Sequence, residues 1–317
     1  MPYIFQKIME EIKLILNDIM VFWYNKLLFI KGYIMSRLIQ VLLYLFIFST
    51  QSFSAQDKAS SKLTLGFMPY LSSDILLNKY TPLATYLSQE LNIKVEIIIA
   101  KDYATHIEYT GNNKLDISFL GGSPYVVIDE KYGQKPLLAR YEFSNKPTFH
   151  SVIFVNKNSK LKTLSELKGK KVAFGNKNST LSTQVPLYML MNDDVYLKDL
   201  ATHKHLRNHE NVIYGVIYGE FDAGAVAQEV FREKESEGIK ILKVSPEVST
   251  HVFVTRSNMD KELQIKIKKA LLKLKTMPNG NKVLKSISKN LTGFVDAIDE
   301  DYDYHRDMLK SVLQQLK

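Results

Sequence analysis

The chain has 317 residues, of which 45% are hydrophobic, and a formal charge of +9. This length and composition suffice for a sizeable core and allow one large domain or two lobes. The chain contains no cysteine, which excludes disulfides, thiolate metal sites, a cysteine nucleophile and a lipid-modified cysteine anchor. It has no arginine-rich stripe with interleaved aromatic residues, so we expect no nucleic-acid partner.

The first part of the chain has the pattern of a secretion signal. From Met35 the sequence reads MSRLIQVLLYLFIFSTQSFSAQD. Arg37 gives a short positive region, and an apolar run with a small polar exit follows, which is the layout of a signal peptide. The apolar run is too short to span a bilayer comfortably. We predict a signal peptide over residues 35–54, cleaved before Ala55 or one residue later; the alternative is a helix that stays in place as an anchor.

Residues 1–34 precede this signal, either as an amphipathic extension or because the start codon is assigned upstream of Met35. We leave them out of the fold prediction. Removing Met1–Ser54 takes away five Lys/Arg and three Asp/Glu, so the exported part carries +7. A modest positive field suits a small anionic ligand or an anionic surface. From the signal segment we predict an exported protein, which is tethered to the membrane if the signal is not cleaved.

Strand and helix patterns alternate from residue 63 onward. The segments KLTLGFM, KVEIIIA and LDISFLGG are predicted strands, and YTPLATYLSQEL, with Pro82 near its start, is a predicted helix between the first two. This βαβαβ order indicates an α/β sheet with ligand-accessible strand ends.

The same order restarts after Lys160, with helix LSELKG, strand KVAFG, helix TQVPLYMLMND and strands FDAGAV and IKILKV. Two long apolar segments, PTFHSVIFV and STHVFVTR, bracket this second half and are predicted to cross between the halves. We predict lobe I at residues 62–150 and 256–317, lobe II at 151–255, and two crossing strands as a hinge. The helical tail that begins with KELQIKIKKALLKL is predicted to pack on lobe I.

The stretch AFGNKNSTLSTQVPLYML combines a strand end with a helix start. Gly175 ends the strand, and Ser179 or Thr180 lies where an N-cap is needed for the helix around Gln184–Leu190. The unpaired N–H groups of a helix start carry a partial positive charge and hold phosphate-like anions, and hydroxyl groups add directional donors. The alternative is a plain N-cap whose hydroxyl serves only its own helix.

The longer segment SELKGKKVAFGNKNSTLSTQVPLYML resembles the signature of phosphate/phosphite/phosphonate solute-binding proteins of ABC importers. The resemblance covers nearly all of Leu63–Arg306, through AKDYATHIE, LDISFLGGSPYVV, GEFDAGAV and GFVDAIDEDYDYHR. It implies a type II periplasmic binding fold, in which two α/β lobes close over a ligand about two crossing hinge strands. We expect a monomer without cofactor or metal ion, a small anionic ligand, and a membrane permease as partner.

The resemblance implies a set of ligand-binding residues. Tyr103 and Tyr125 match two tyrosines of lobe I, with surface or interface positions as the alternative. Ser179 and Thr180 match a pair of hydroxyl donors on lobe II. His209 matches a histidine that donates to a phosphonate oxygen, and either protonation state would serve an anion.

The family pattern is broken at two places. Leu181 stands where the family usually has another serine, so one donor to the anion is missing unless Ser182 or Thr183 replaces it. Glu229 falls where aminophosphonate-binding members place a carboxylate, or else is a solvated helix residue, and the second acid of those members is replaced by His251. Losing that negative charge favours phosphate, phosphite or a simple alkylphosphonate over 2-aminoethylphosphonate.

Two other function classes use the same residues. A hydrolase would use Ser179, His209 and Glu229 as nucleophile, base and orienting group, but the chain has no G-x-S-x-G elbow and no glycine pair beside the serine, so we expect no enzyme. The carboxylates of DEDYDYHRD are interpreted as a surface run rather than a metal site. We predict the periplasmic solute-binding component of an ABC importer, with an extracytoplasmic sensor of the same fold as the alternative.

Overall fold

The computed structural model describes residues 2–51 and 62–314. Helix α1 (Pro2–Gln51) belongs to the first of two compact units, Met1–Ser60, and the second unit is Ser61–Lys317. Of the described helices, none combines the length and the hydrophobicity needed to cross a bilayer. The predicted cleavage site between Ser54 and Ala55 lies outside the described residues.

The second unit alternates strands and helices along its length. Its helices are α2 (Ser73–Leu91), α3 (Tyr103–Gly111), α4 (Gly122–Tyr132), α5 (Val185–Asn192), α6 (His209–Ile217), α7 (Gln228–Lys234), α8 (Lys261–Lys273), α9 (Gly280–Ile287) and α10 (Asp303–Val312). Its strands are β1 (Leu63–Phe67), β2 (Val95–Ile99), β3 (Ile117–Leu120), β4 (Leu137–Phe143), β5 (Thr148–Phe149), β6 (Ser151–Asn156), β7 (Lys171–Phe174), β8 (Thr202–His205), β9 (Ala223–Ala227), β10 (Ile239–Val244), β11 (Val248–Ser249), β12 (Val252–Thr255) and β13 (Leu291–Val295).

Two larger sheets divide this unit into two lobes. The sheet of lobe I has the order β13-β4-β12-β3-β1-β2, and the sheet of lobe II has the order β10-β6-β9-β7-β8. In lobe I, β1 is parallel to β2 and β3, and β12 runs antiparallel beside β3. In lobe II, β7 is parallel to β8 and β9, and β6 runs antiparallel beside β9. In both lobes, three parallel strands therefore lie beside one antiparallel strand, which is β12 in lobe I and β6 in lobe II. The chain enters each of these two strands directly after it passes through the hinge.

The hinge is a small sheet of its own. Strands β5 and β11 pair antiparallel, with Val248 opposite Phe149. The sequence placed lobe II up to residue 255, but β12 pairs with β3 and β4 inside the sheet of lobe I. That boundary is corrected to the chain between β10 and β12. The continuous apolar run STHVFVTR did not reveal it, because hydrophobicity does not tell which sheet a strand joins.

Three predicted helical features differ from the structure. LSELKG forms only the 3-10 turn Ser165–Leu167. Pro82 lies in the middle of α2, which begins nine residues earlier at Ser73. The tail was predicted to pack on lobe I, and α8 and α9 do so, but α10 contacts α4 of lobe I and α5 of lobe II. Tyr304 of α10 meets Tyr188 of α5 edge-on, with ring centroids 6.1 Å apart.

Aromatic side chains fill the core of lobe I directly beneath the cleft. Phe119 of β3 packs against Phe67, Phe253 and Tyr141, with ring centroids 5.1–5.4 Å apart. Phe119 is almost fully buried. Such a packed layer restricts side-chain motion, so the strand ends above it are held firmly.

Candidate functional site

A cavity of about 60 Å³ lies between the two lobes. A buried water needs roughly 10–15 Å³ measured in this way, so the space holds a few waters or one small anion. Six of the seven residues singled out in the sequence line it: Tyr103, Ser179, Thr180, His209, Glu229 and His251.

The turn singled out in the sequence enters the cavity from lobe II. It is a π-helical turn, Thr180–Gln184, that continues into α5. The side chain of Ser179 caps this turn by accepting a hydrogen bond from the backbone N–H of Ser182 at 3.3 Å. Ser179 also lines the cavity together with Tyr103, which starts α3 on the opposite lobe. The cap and the cavity-lining position therefore coexist in one residue.

Thr180 joins the two lobes at the start of α4. Its Oγ1 accepts a hydrogen bond from the backbone N–H of Ser123 at 3.0 Å, and Thr180 is 3% exposed. A Cβ atom on Gly121 would lie only 2.6 Å from Thr180 Oγ1, so this close approach requires glycine at the N-cap of α4. The structure is therefore the closed arrangement of the lobes.

The residues that follow Thr180 point in different directions. Leu181 lines the cavity with its apolar side chain. The hydroxyl of Ser182 donates to Ala225 O at 2.8 Å, and that of Thr183 donates to Asn176 O at 2.9 Å. Neither residue lines the cavity, so neither replaces the donor that Leu181 lacks.

His209 presents one ring nitrogen to the cleft. It is the first residue of α6, whose N-cap Asn208 accepts a hydrogen bond from Asn211 N at 2.9 Å. His209 Nδ1 accepts from Ala227 N at 3.4 Å, which leaves Nε2 to carry the proton. Burial lowers the pKa of His209 to about 4, so the ring is a neutral N–H donor at pH 7.

His251 lies beside β12 in an aromatic setting. Its ring is tilted over Phe119 and edge-on to Phe149, in both cases with centroids 4.9 Å apart. Burial, with smaller contributions from His209 and His305, lowers the pKa of His251 to about 3. The imidazole is therefore neutral and brings no positive charge into the cavity.

Glu229 is a half-buried carboxyl group on α7 that lines the cavity. Desolvation raises its pKa to about 7, with a smaller contribution from the charge of Glu233. At neutral pH a large fraction of this group is protonated and able to donate a hydrogen bond.

Tyr125 is the one candidate that the structure removes from the site. Its hydroxyl donates to Asp299 Oδ1, and its ring packs on Tyr302 with centroids 4.8 Å apart. Tyr125 is the fourth residue of α4 and faces the 3-10 turn Asp299–Tyr302, whereas the start of that helix faces the cleft. The same region contains Arg306, which bonds Asp299 and other carboxylates. Tyr125 therefore ties the carboxyl-terminal segment to lobe I.

Two cavity features were missed in the sequence. The first is a chain of phenols, in which Tyr70, Tyr80 and Tyr141 are linked by two hydrogen bonds of 2.8 Å. Burial raises the pKa of all three tyrosines, so they stay protonated. Tyr70 follows Met68 and Pro69 at the carboxyl end of β1, where ligand-binding residues of such sheets are expected. Its position after a predicted strand could therefore have identified Tyr70 as a cavity residue from the sequence.

The second missed feature is a salt bridge at the cavity wall. Lys79 Nζ lies 3.0 Å from Glu233 Oε1, and both residues line the cavity. The two residues are 154 positions apart on different lobes. No local pattern in the sequence connects them.

The contacts made by Ser179 and His209 do not form a nucleophile–base pair. The Ser179 hydroxyl accepts a hydrogen bond from Ser182 N, and His209 Nδ1 accepts one from Ala227 N. Within residues 2–51 and 62–314, no group of three or more His, Asp and Glu side chains is placed to hold a metal ion. The arrangement is that of a binding site built from neutral donors.

The sequence is similar to those of known transport proteins. The model of a family described as ABC transporter, phosphonate, periplasmic substrate-binding protein matches residues 65–302. The chain is 26% identical over 212 residues to the probable ABC transporter phosphite binding protein PhnD1 of Prochlorococcus marinus strain MIT 9301, covering 62% of this chain and 71% of that protein. It is 29% identical over 224 residues to the phosphonates-binding periplasmic protein of Escherichia coli K12, covering 67% and 65%.

Solved structures share the fold. Prochlorococcus marinus PhnD1 in complex with methylphosphonate superimposes with a TM-score of 0.73 at 22% identity, over 80% of this chain and 98% of that one. A binding protein component of an ABC phosphonate transporter from Pseudomonas aeruginosa gives 0.72 at 20% identity, over 80% and 87%. The predicted two-lobed periplasmic binding fold is confirmed.

Proposed function

The chain belongs to the family of periplasmic substrate-binding proteins of phosphonate ABC transporters, and on that premise we propose that it captures a small phosphorus oxyanion between its lobes. The candidate ligands are phosphate, phosphite and a simple alkylphosphonate. The observation that carries the proposal is the convergence of uncharged donors from both lobes on one cavity of about 60 Å³.

The donors suit an anion because hydrogen bonds to a charged acceptor are about twice as strong as neutral ones. Lobe II supplies the hydroxyls of Ser179 and Thr180 and the Nε2–H of His209. Lobe I supplies the phenol of Tyr103 and the ring of His251. In a cleft shielded from water these fixed dipoles stabilise negative charge without a cation of their own.

Capture requires closure of the two lobes. The ligand enters the open cleft, and the contacts of Thr180 with Ser123 and of His209 with Tyr70 form only when the lobes meet. A ligand that bonds donors of both lobes binds the closed state more tightly and shifts the equilibrium toward it. The closed protein then presents its ligand to a membrane permease.

The cavity favours a ligand without a strongly cationic group. Lys79 neutralises Glu233, and Glu229, with its pKa raised to about 7, is partly uncharged, so the wall offers little negative charge to an ammonium. Leu181 offers an apolar contact where a further oxygen would need a donor. These features support phosphite or an alkylphosphonate with a small substituent ahead of 2-aminoethylphosphonate.

The proposal includes export by the signal peptide at residues 35–54 and a monomeric protein in the periplasm. The relatives described above are transport proteins, so the alternative of a sensor gains no support from them. Amino-terminal sequencing of the periplasmic protein tests the export step: a mature end at or next to Ala55 supports cleavage, and an end near Met1 or Met35 contradicts it.

Isothermal titration of the purified protein with phosphate, phosphite, methylphosphonate, 2-aminoethylphosphonate and sulfate tests the ligand class. We expect saturable binding of at least one of the first three, together with a rise in melting temperature from mass action. Binding of the aminophosphonate alone would overturn the choice of ligand. Binding of none of the phosphorus compounds would overturn the function.

A further inference from the structure

Two carboxylates of lobe II contact helix α2 of lobe I outside the donor set. Glu210 belongs to the first turn of α6, and Glu233 belongs to α7. We propose that Glu210 and Glu233 form an electrostatic clamp on α2, which stabilises the closed lobes and thereby raises ligand affinity, Glu210 from outside the cavity and Glu233 through Lys79 at the cavity wall. The effect on affinity rests on the proposed function, and the effect on closure does not.

Glu210 caps the start of α2 from the opposite lobe. Its Oε2 accepts a hydrogen bond from the backbone N–H of Ser72 at 2.9 Å. Ser72 is the N-cap of this 19-residue helix, and its own side chain makes no capping bond. A carboxylate at a helix amino terminus is stabilised by the unpaired N–H groups and the helix dipole. The N–H of the N-cap residue Ser72 therefore has this acceptor only when lobe II is in place.

The same contact positions a ligand donor. The backbone N–H of His209 donates to Tyr70 O at 3.1 Å, and the next residue along lobe II, Glu210, accepts from Ser72. Two hydrogen bonds thus join residues 70–72 of lobe I to residues 209–210 of lobe II. Because His209 carries one donor of the cavity, the clamp brings that donor into the closed position, and Glu210 is a positioning residue.

Glu233 acts about two turns further along α2. Its Oε1 lies 3.0 Å from Lys79 Nζ, and Lys79 also donates to Ile287 O at 3.1 Å, which holds the ammonium in place. The Lys79 side chain is 18% exposed and that of Glu233 is 40% exposed. A pair with this exposure contributes modestly, so Glu233 is the weaker half of the clamp.

Both contacts cross the cleft, so they stabilise the closed state and do not exist in the open state. The apparent affinity of a protein that binds in its closed state scales with the fraction of molecules that are closed. Losing the clamp should therefore weaken affinity chiefly through faster ligand release, while the fold of each lobe is unchanged.

The test compares Glu210→Gln, Glu233→Gln and the double variant with Glu235→Gln, which breaks an exposed salt bridge within lobe II. Methylphosphonate is the probe, and its dissociation constant and release rate are measured. We expect the dissociation constant to rise about fivefold for Glu210→Gln, about threefold for Glu233→Gln and about fifteenfold for the double variant. The control should stay within about twofold, and unliganded melting temperatures should agree across the set.

Closure is measured separately by a spin–spin distance between labels on the two lobes. The natural chain has no cysteine, so cysteines introduced at the exposed positions Leu77 and Ser236 label specifically. The double variant should shift the distribution toward longer distances, with and without the probe. A dissociation constant within twofold of the natural protein, or an unchanged distance distribution, overturns the clamp. If the natural protein binds none of methylphosphonate, phosphite and phosphate, the proposed function fails, and the distance distribution alone decides on the clamp.

Discussion

The two walls of the cleft are built differently. Lobe II presents polar side chains at the starts of short helical segments, where Ser179, Thr180 and His209 are each fixed by a backbone hydrogen bond. Lobe I presents mainly aromatic rings on strand ends, held by stacking on Phe119 and by the phenol chain through Tyr80.

This difference indicates that the two lobes contribute different interactions to ligand binding. Directional donors on lobe II distinguish one anion from another, because hydrogen bonds depend on distance and angle. The aromatic wall of lobe I excludes water and strengthens those bonds by lowering the local polarity. Substitutions on lobe II should therefore change affinity, and substitutions behind the wall of lobe I should change mainly stability.

The largest effect is expected for Thr180→Val. It removes a donor to the anion and leaves the buried N–H of Ser123 without its acceptor. We expect the dissociation constant for methylphosphonate to rise about 100-fold by isothermal titration. Thr183→Val is the matched control, since that hydroxyl donates to Asn176 O and does not line the cavity. Equal loss of affinity in both variants would show that the turn, and not the Thr180 hydroxyl, binds the ligand.

A smaller effect is expected from the charge of Glu229. Its pKa is raised to about 7, so the carboxyl loses its proton as the pH rises through 7 and then repels the anion. We expect the affinity of the natural protein to fall about tenfold more between pH 6 and 8 than that of Glu229→Gln. Ionisation of the ligand itself is common to both proteins and cancels in this comparison.

The raised pKa of Glu229 also predicts how the stability of the protein changes with pH. A carboxyl whose pKa is higher in the folded than in the unfolded state contributes stability at low pH, and that contribution is lost as the pH rises above 4.5 toward 7. Glu229→Gln should therefore have the higher melting temperature of the two proteins at pH 8. Parallel pH profiles for the natural protein and the variant would contradict both statements.

Leu181→Ser should change ligand choice more than affinity. The serine restores a donor at the place where the cavity has an apolar side chain. We expect the ratio of the dissociation constants for phosphate and methylphosphonate to move about threefold to tenfold toward phosphate. The variant should also lose about 2–4 kcal/mol of unfolding free energy, since Leu181 is 2% exposed. Leu187→Ala, which empties a buried position away from the cavity, should lose stability without changing the ratio.

The smallest effect on affinity is expected for Tyr125→Phe. The substitution removes the hydrogen bond to Asp299 behind the wall of lobe I. We expect a loss of about 1 kcal/mol of unfolding free energy by urea denaturation, with the dissociation constant within about twofold of the natural protein. A tenfold weaker dissociation constant would return Tyr125 to the ligand-binding set that the sequence implied.

Much of the fold follows from local patterns. The runs around Leu63, Val95, Ile117, Lys171 and Ile239 are strands as expected, because alternation and β-branched content act within a few residues. The helix start at Ser179 was likewise visible, since capping depends on neighbours three residues away. These local features were enough to indicate two α/β lobes and the donors of lobe II.

Other features depend on contacts far apart in sequence. Whether β12 joins lobe I or lobe II is decided by pairing with β3, more than 100 residues away. The direction in which the Tyr125 side chain points depends on the carboxyl-terminal turn that supplies Asp299, and the pair Lys79–Glu233 exists only because two lobes meet.

The sequence by itself determined the elements, the family resemblance and the chemistry of the Ser-Thr turn. The tertiary structure decided which side chains share the cleft, because that depends on how helices face and how lobes close rather than on any local pattern.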